Sequence, residues 1–292
     1  MVKNSLRKVF GTLLQIIGAI FLLGIAVIPF FALQFAKLDL LGVYDYLLIG
    51  VSVIILFVVG SICFGLGKVI QLPSADKLMA DDKRSCVLYL RSFEFDTVAS
   101  ENHVALLPLP DPTMAGVAAI LRNKNYEETL SKVFSEIGPC IAVGKPGFEA
   151  QVPGFSRKPL SMETWQTEVQ RLMQEAALVV ICSGNTEGVL WELQEAKSIV
   201  PLERLLILIT RDTSQAWWKR AQEIFDHKLP EFPRYPPYQE QAVHGLIYFD
   251  ENKTARDELL VPFNKKTLRE KISPVFARLH TKNSAQEVYQ RI

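Results

Sequence analysis

A single glutamate stands where an α/β protein can do chemistry. Glu192 lies in ALVVICSGNTEGVLWELQEA, residues 177–196, in which an apolar run ends in a glycine-containing turn and a helix follows. The run Leu178-Val179-Val180-Ile181 is apolar on both faces of the pleat, so it reads as a strand inside a parallel sheet. Gly184 to Gly188 is then the turn at its carboxyl end, where open α/β sheets place their ligands. A carboxylate in the first turns of the next helix can act as a nucleophile or stabilise a developing positive charge. It can equally be an ordinary helix-start residue, favoured there by the helix dipole. Trp191 could line the same pocket, although side chains of adjacent helical residues point about 100° apart.

Two further groups suit an anionic ligand. Arg91-Ser92-Phe93 follows the apolar run from Cys86 to Leu90, where a first strand hands over to its loop, and Arg91 could hold a phosphate or pair with a carboxylate. Residues 145–159 form a Gly/Pro loop whose backbone amides, with Lys145, Arg157 and Lys158, could cradle an anion or stand in solvent.

The elements that must position these residues alternate. Strands are expected at 86–90, 139–144, 178–181, 205–209 and 245–249, giving a central, mostly parallel five-stranded sheet in an α/β domain. Between them, Asn125 can cap a helix with Glu128 completing the capping pattern. Ser161 can cap another whose core face is Met162, Trp165, Val169, Leu172, Met173 and Ala176. Residues 214–225 form a third, and Asn264 starts a last one that Pro274 could kink. Residues 94–124 are long, proline-bearing and weakly periodic, an insertion of the kind that serves as a functional lid or a disordered segment. No GxxxxGK[ST] loop occurs, which removes ordinary P-loop ATP hydrolysis.

The front of the 292-residue chain is of another kind. Residues 9–36 carry no charge and residues 46–69 only Lys68, and each run exceeds the ~20 residues a helix needs to cross a bilayer. A cleaved signal peptide would have an apolar core of only about 7–15 residues. The expected organisation is a transmembrane hairpin over 1–72, a linker over 73–84 and a domain over 85–292. Lys3, Arg7 and Lys8 precede the first span and Lys68, Lys77, Lys83 and Arg84 follow the second, so both termini are expected in the cytoplasm, at an inner or plasma membrane. No charge sits mid-span, which argues against a transporter. The hairpin reads as an anchor, or as a helix pair that associates with copies of itself.

A formal net charge of +1 argues against a nucleic-acid binder, and the basic cluster beside the second span suits anionic lipid instead. Cys63, Cys86, Cys140 and Cys182 are scattered without metal-ligand spacing and read as buried free thiols of a reducing compartment; neither a metal nor a resident cofactor is expected.

VLYLRSF, the Gly/Pro loop, METWQTEVQRLMQEAALVVICS and GVLWELQEA together resemble a Toll/interleukin-1 receptor (TIR) domain, a flavodoxin-like α/β fold. In that family a helix beginning near a tryptophan precedes the third strand, and the next helix carries a glutamate, then an aliphatic and, three positions on, a small residue: here Glu192, Leu193 and Ala196. GNTEGVLWELQEA is also similar to the nucleoside 2-deoxyribosyltransferase group. The resemblance covers most of 85–248. It implies cleavage of the bond between ribose C1 and a nitrogen base, with NAD or a related nucleotide as substrate and self-association assembling the site. Glu192 would be the catalytic carboxylate, and Arg91, Ser92, Phe93, Lys145, Arg157 and Trp191 would hold the nucleotide. Ser92-Phe93 replaces the family's usual Ser-Tyr pair, and Glu187-Gly188 stands where a Ser-Trp-like helix start is common. Two other readings are a module that senses a nucleotide without cleaving it and a pure self-assembly domain.

Overall fold

The computed structural model describes residues 2–36, 42–92, 126–144, 154–211, 213–232 and 243–279. The chain divides into two compact units, Met1–Leu72 and Pro73–Ile292.

The first unit pairs helix α1 (Val2–Ala36) with α2 (Val43–Gln71). Over Lys8–Ile25 and Tyr44–Gly67 they are long and apolar enough to cross a membrane. Leu13, Ile20 and Leu23 on one helix and Leu47, Ile54 and Phe57 on the other face outward, a surface that lipid solvates and water does not. The seam between the helices is made of glycine. A Cβ on Gly18 would stand 2.7 Å from the Gly60 carbonyl oxygen, and one on Gly67 2.6 Å from that of Gly11. These glycines let the two backbones touch, the close small-residue packing by which apolar spans associate.

The second unit opens with the short helix α3 (Ala75–Asp81) and builds one sheet from β1 (Val87–Leu90), β2 (Cys140–Val143), β3 (Ser156–Lys158), β4 (Leu178–Cys182), β5 (Leu205–Thr210), β6 (Val243–Phe249) and β7 (Ala255–Leu259). Their spatial order is β3-β2-β1-β4-β5-β6-β7. The first five are parallel, with Val87 opposite both Cys140 and Leu178; β6 and β7 run antiparallel. The intervening helices are α4 (126–134), α5 (Trp165–Glu175), α6 (Glu187–Ile199), α7 (Gln215–Ile224), α8 (Lys265–Lys271) and α9 (273–279).

Both faces of the sheet are covered, which is why its middle strands read as unbroken apolar runs. Leu88, Leu90, Val179, Ile181 and Ile207 pack against α5, α6 and α7. Val87, Tyr89, Leu178, Val180, Leu206 and Leu208 pack against α4, α8 and α9. Each such side chain contributes about 1.5–3 kcal/mol on burial.

Two expectations are corrected, the strand count and the start of the helix that follows residue 161. The sheet has seven strands, not five: β3 lies inside the stretch read as a loop and β7 was not foreseen, because SRK and ARDEL are polar and carry no apolar run. The sheet is mostly parallel, as expected, with its parallel part ending at β5, to which β6 pairs antiparallel. Helix α5 begins at Trp165, with Thr164 as its first cap and Ser161 accepting a hydrogen bond from the Thr164 amide at 3.3 Å. Met162 therefore precedes the helix and is 72 % exposed instead of lining the core. Asn125, Phe93, Lys145 and the 94–124 insertion lie outside the described residues. Cys86, Cys140 and Cys182 are buried free thiols, while Cys63, on α2, is partly exposed.

Candidate functional site

The order of the strands places a crevice. From β1 the chain moves outward to β2 and β3, then returns to lay β4 on the other side of β1. Such a reversal parts the loops at the carboxyl ends of the two strands, and ligands of open α/β sheets bind there. Arg91 and Ser92 leave β1, and residues 183–186 leave β4. The two exits are neighbours: a Cβ on Gly184 would stand 3.9 Å from both the Ser92 Cβ and Val189 Cγ2.

The β4 exit is fixed by side-chain bonds to its neighbour. The Thr210 amide donates to Ser183 Oγ at 2.9 Å and the Thr210 hydroxyl to the Ser183 carbonyl at 3.0 Å, while Ser183 and Thr213 share a short hydroxyl contact. Thr186 then caps α6 by accepting from the Val189 amide, and Asn185 accepts from the Ser214 amide at 3.0 Å. The turn is thus tied to the starts of two helices, and α6 leaves in one direction.

That direction carries Glu192 inward. Val189, Leu193 and Ala196, three before, one after and four after it, form the buried stripe of α6, and Glu192 belongs to the same stripe with 2 % exposure. Among the described residues its Oε2 has no hydrogen-bond partner. Burial raises its pKa from 4.5 to about 8, since an uncompensated carboxylate is expensive to keep charged away from water. At neutral pH Glu192 is therefore mainly a carboxylic acid, able to donate as well as accept.

The opposite face of the sheet holds a different arrangement. Glu127, in the first turn of α4, meets Arg91 Nε at 3.1 Å and Arg157 Nη2 at 3.7 Å, with all three side chains no more than 8 % exposed. Beside them Tyr89 stacks on Phe155 at 4.2 Å, is hydrogen-bonded to Tyr126, and accepts from the Cys182 thiol at 3.0 Å. Burial pushes Tyr89 and Tyr126 well above the usual phenol range. The Cys182 thiol is pushed up to about 12, mainly by burial; its bond to Tyr89 and the charge of Arg91 oppose the rise, whereas Glu127 and Glu192 add to it. Cys182, the last residue of β4, is thus within electrostatic reach of both carboxylates.

Of the residues singled out in the sequence, the structure gathers Arg91, Ser92 and Arg157 at the carboxyl edge of β1 and β3 and brings Glu192 to the neighbouring exit. Trp191 is separated from them. It packs edge-on against Trp165 with ring centroids 4.8 Å apart and lines a groove of about 620 Å³ between α6 and α7, which Glu192 does not reach. Glu127 was missed. Its signal was its spacing, since Leu130 and Phe134 follow at three and seven residues and place it on the buried stripe of α4, whereas attention went to the capping position Glu128. Among the described residues, no three of the His, Cys, Asp and Glu side chains converge as a metal site.

No protein-family model, curated protein or solved structure matches the chain. Its class is accordingly set by architecture: a mixed α/β sheet domain with a buried carboxyl group, Oε2 of which has no hydrogen-bond partner among the described residues, beside the strand-order reversal, carried on the same chain as two apolar helices of membrane-spanning length.

Proposed function

We propose that this chain is a membrane-anchored, TIR-like effector that cleaves the N-glycosidic bond of NAD or a related nucleotide. The observation that carries the reading is the Glu192 carboxyl group, 2 % exposed and unpaired at Oε2 among the described residues, one helix turn from the exit of β4. The order β2-β1-β4-β5 within the sheet supports the flavodoxin-like comparison, because it corresponds to the 2-1-3-4 arrangement of that fold.

The chemistry follows from where charge moves. As the C1–N bond breaks, both of its electrons leave with the base, and the positive charge of a pyridinium passes to the ribose. A carboxylate facing C1 then stabilises the transition state more than the ground state, which is the condition for catalysis. Water attacks C1 from the opened side, its oxygen forming the new bond and its proton leaving to solvent. A resting acid with a pKa of about 8 becomes ionised when a cationic ligand offsets its desolvation. Arg91 and Arg157 supply the cationic side that a pyrophosphate requires. The basic flanks of the two spans support a topology with both ends cytoplasmic, and confinement to a plane favours association of copies.

The near-complete burial of Glu192 favours a second reading, a module that binds a nucleotide and signals without cleaving it. The two are separated by incubating the full chain, reconstituted in bilayer discs, with NAD. Nicotinamide release that disappears in Glu192→Ala supports cleavage. Binding of intact NAD without release supports sensing, and undiminished release from Glu192→Ala removes Glu192 from the mechanism.

A further inference from the structure

We infer that Glu127 is a positioning residue, which fixes Arg91 and Arg157 in the orientation that receives the anionic part of the nucleotide. The inference rests on the nucleotide-site reading above. Its basis is one carboxylate shared by two guanidinium groups from different strands: Oε1 meets Arg91 at 3.1 Å, where β1 ends, and Oε2 faces Arg157 at 3.7 Å on β3. No other described side chain joins these two strand ends by ion pairs to both.

The start of α4, which carries Glu127, is itself packed into this corner by its neighbours. Gly154, at φ 120°, packs flat against the start of α4, so that a Cβ there would stand 3.0 Å from the Glu127 Cβ and 3.1 Å from its carbonyl carbon. Phe155 is stacked on Tyr89 with an interplanar angle of 12°. Tyr126, the residue before Glu127, is hydrogen-bonded to Tyr89. Strand β1, the start of α4 and the 154–157 segment therefore meet at this corner.

Stability alone is a poor reason for such a corner. Three buried charges cost desolvation that apolar side chains of similar volume avoid, and exchanging buried ion pairs for such residues is often neutral or stabilising. What the ions supply is orientation. A guanidinium has a rigid fork of donors, and two forks held by a common acceptor have fixed relative placement, which suits the several oxygens of a pyrophosphate. Arg91 precedes Ser92, which lies beside Gly184 at the β4 exit, so the clamp borders the exit from which the helix of the candidate catalytic carboxyl leaves. Glu127 is thus the link between the anion-holding side of the crevice and the fold.

The test uses the full chain in bilayer discs, with ADP-ribose as the binding probe, NAD as the substrate and melting as the control for folding. Glu127→Asp keeps the charge and withdraws the carboxylate by about one C–C bond, ~1.5 Å. It should weaken ADP-ribose binding and raise KM by about tenfold, with kcat within about twofold, because the loss lies in uniform binding. Arg157→Lys should give a similar loss, and the double variant should be no weaker than the weaker single one, since both changes disable one unit. A folded Glu127→Asp protein that binds ADP-ribose like the wild type, or losses that add in the double variant, overturns the inference and leaves the nucleotide-site reading standing. A Glu127→Asp chain that does not fold also overturns it, because the residue is then structural. Wild-type protein that binds no ADP-ribose removes the reading and the inference together.

Discussion

Two buried glutamates flank the same strand exit, from opposite faces of the sheet, and they are treated in opposite ways. Glu127 is 6 % exposed and shares its charge with Arg91 and Arg157; Glu192 is 2 % exposed and, among the described residues, leaves Oε2 without a partner. The first is a carboxylate that the fold has paired with two guanidinium groups. The second is a group the fold has made difficult to ionise. Burial alone therefore says little about function; the presence or absence of compensation separates a residue that holds a site in shape from one that is poised to change state.

The contrast can be broken in order of expected effect. Glu127→Ala should cost about 3–5 kcal/mol, because it strands buried guanidinium charge, and urea unfolding of the detergent-solubilised chain measures it. A loss below about 1 kcal/mol would show that the pair is not a structural tie. Glu192→Gln should lower nicotinamide release by about 10²–10³-fold, the usual cost of removing one electrostatic stabiliser from a reacting centre. Unchanged release would place Glu192 with the structural carboxylates.

The pH dependence sharpens the same comparison. Between 4.5 and about 8 the folded chain keeps a proton on Glu192 that the unfolded chain gives up. That stabilising contribution is fully present below 4.5 and is lost as pH rises through about 8. Glu192→Gln should flatten this decline in melting temperature, and an identical decline in the variant would mean that another group sets it. Over the same window, wild-type kcat/KM for NAD should rise with pH, since the ionised form is the one that stabilises the ribosyl cation.

Smaller effects test which corner each neighbour serves. Tyr89→Phe removes the acceptor of the Cys182 thiol and the partner of Tyr126, and should cost about 1–2 kcal/mol without moving the Glu192 titration. Thr186→Ala removes the cap of α6 and should cost about 1 kcal/mol. A shift of the Glu192 titration in Tyr89→Phe would join the two corners into one network.

How much of this was legible in the chain follows from the kind of signal each part leaves. Strands β1, β4 and β5 are apolar on both faces, and that pattern has few alternatives. Strands β3 and β7 hold to the sheet by backbone bonds while their side chains, Arg157 and Lys158 or Arg256 to Glu258, obey local charge partners, so periodicity does not mark them. The direction of β6 is invisible for a related reason: a strand buried on both faces has the same composition in either sense. Glu192 could be found because a strand, a glycine turn and a helix announce it. Glu127 announces only a helix start, and its role exists through Arg91 and Arg157, 36 residues before it in one case and 30 after it in the other, by the numbering. The glycine seam of the hairpin likewise needs both helices before it means anything.

The central claim is that Glu192 rests as a neutral acid and becomes a carboxylate against a cationic ribosyl ligand. Infrared difference spectroscopy on the reconstituted chain reads this directly, through the carbonyl stretch of a protonated carboxyl group. The account predicts a protonated band at pH 7 that titrates with a midpoint near 8, disappears when NAD is added, and is absent from Glu192→Gln. A wild-type spectrum without that band at pH 7, or a band that NAD leaves in place, would contradict it.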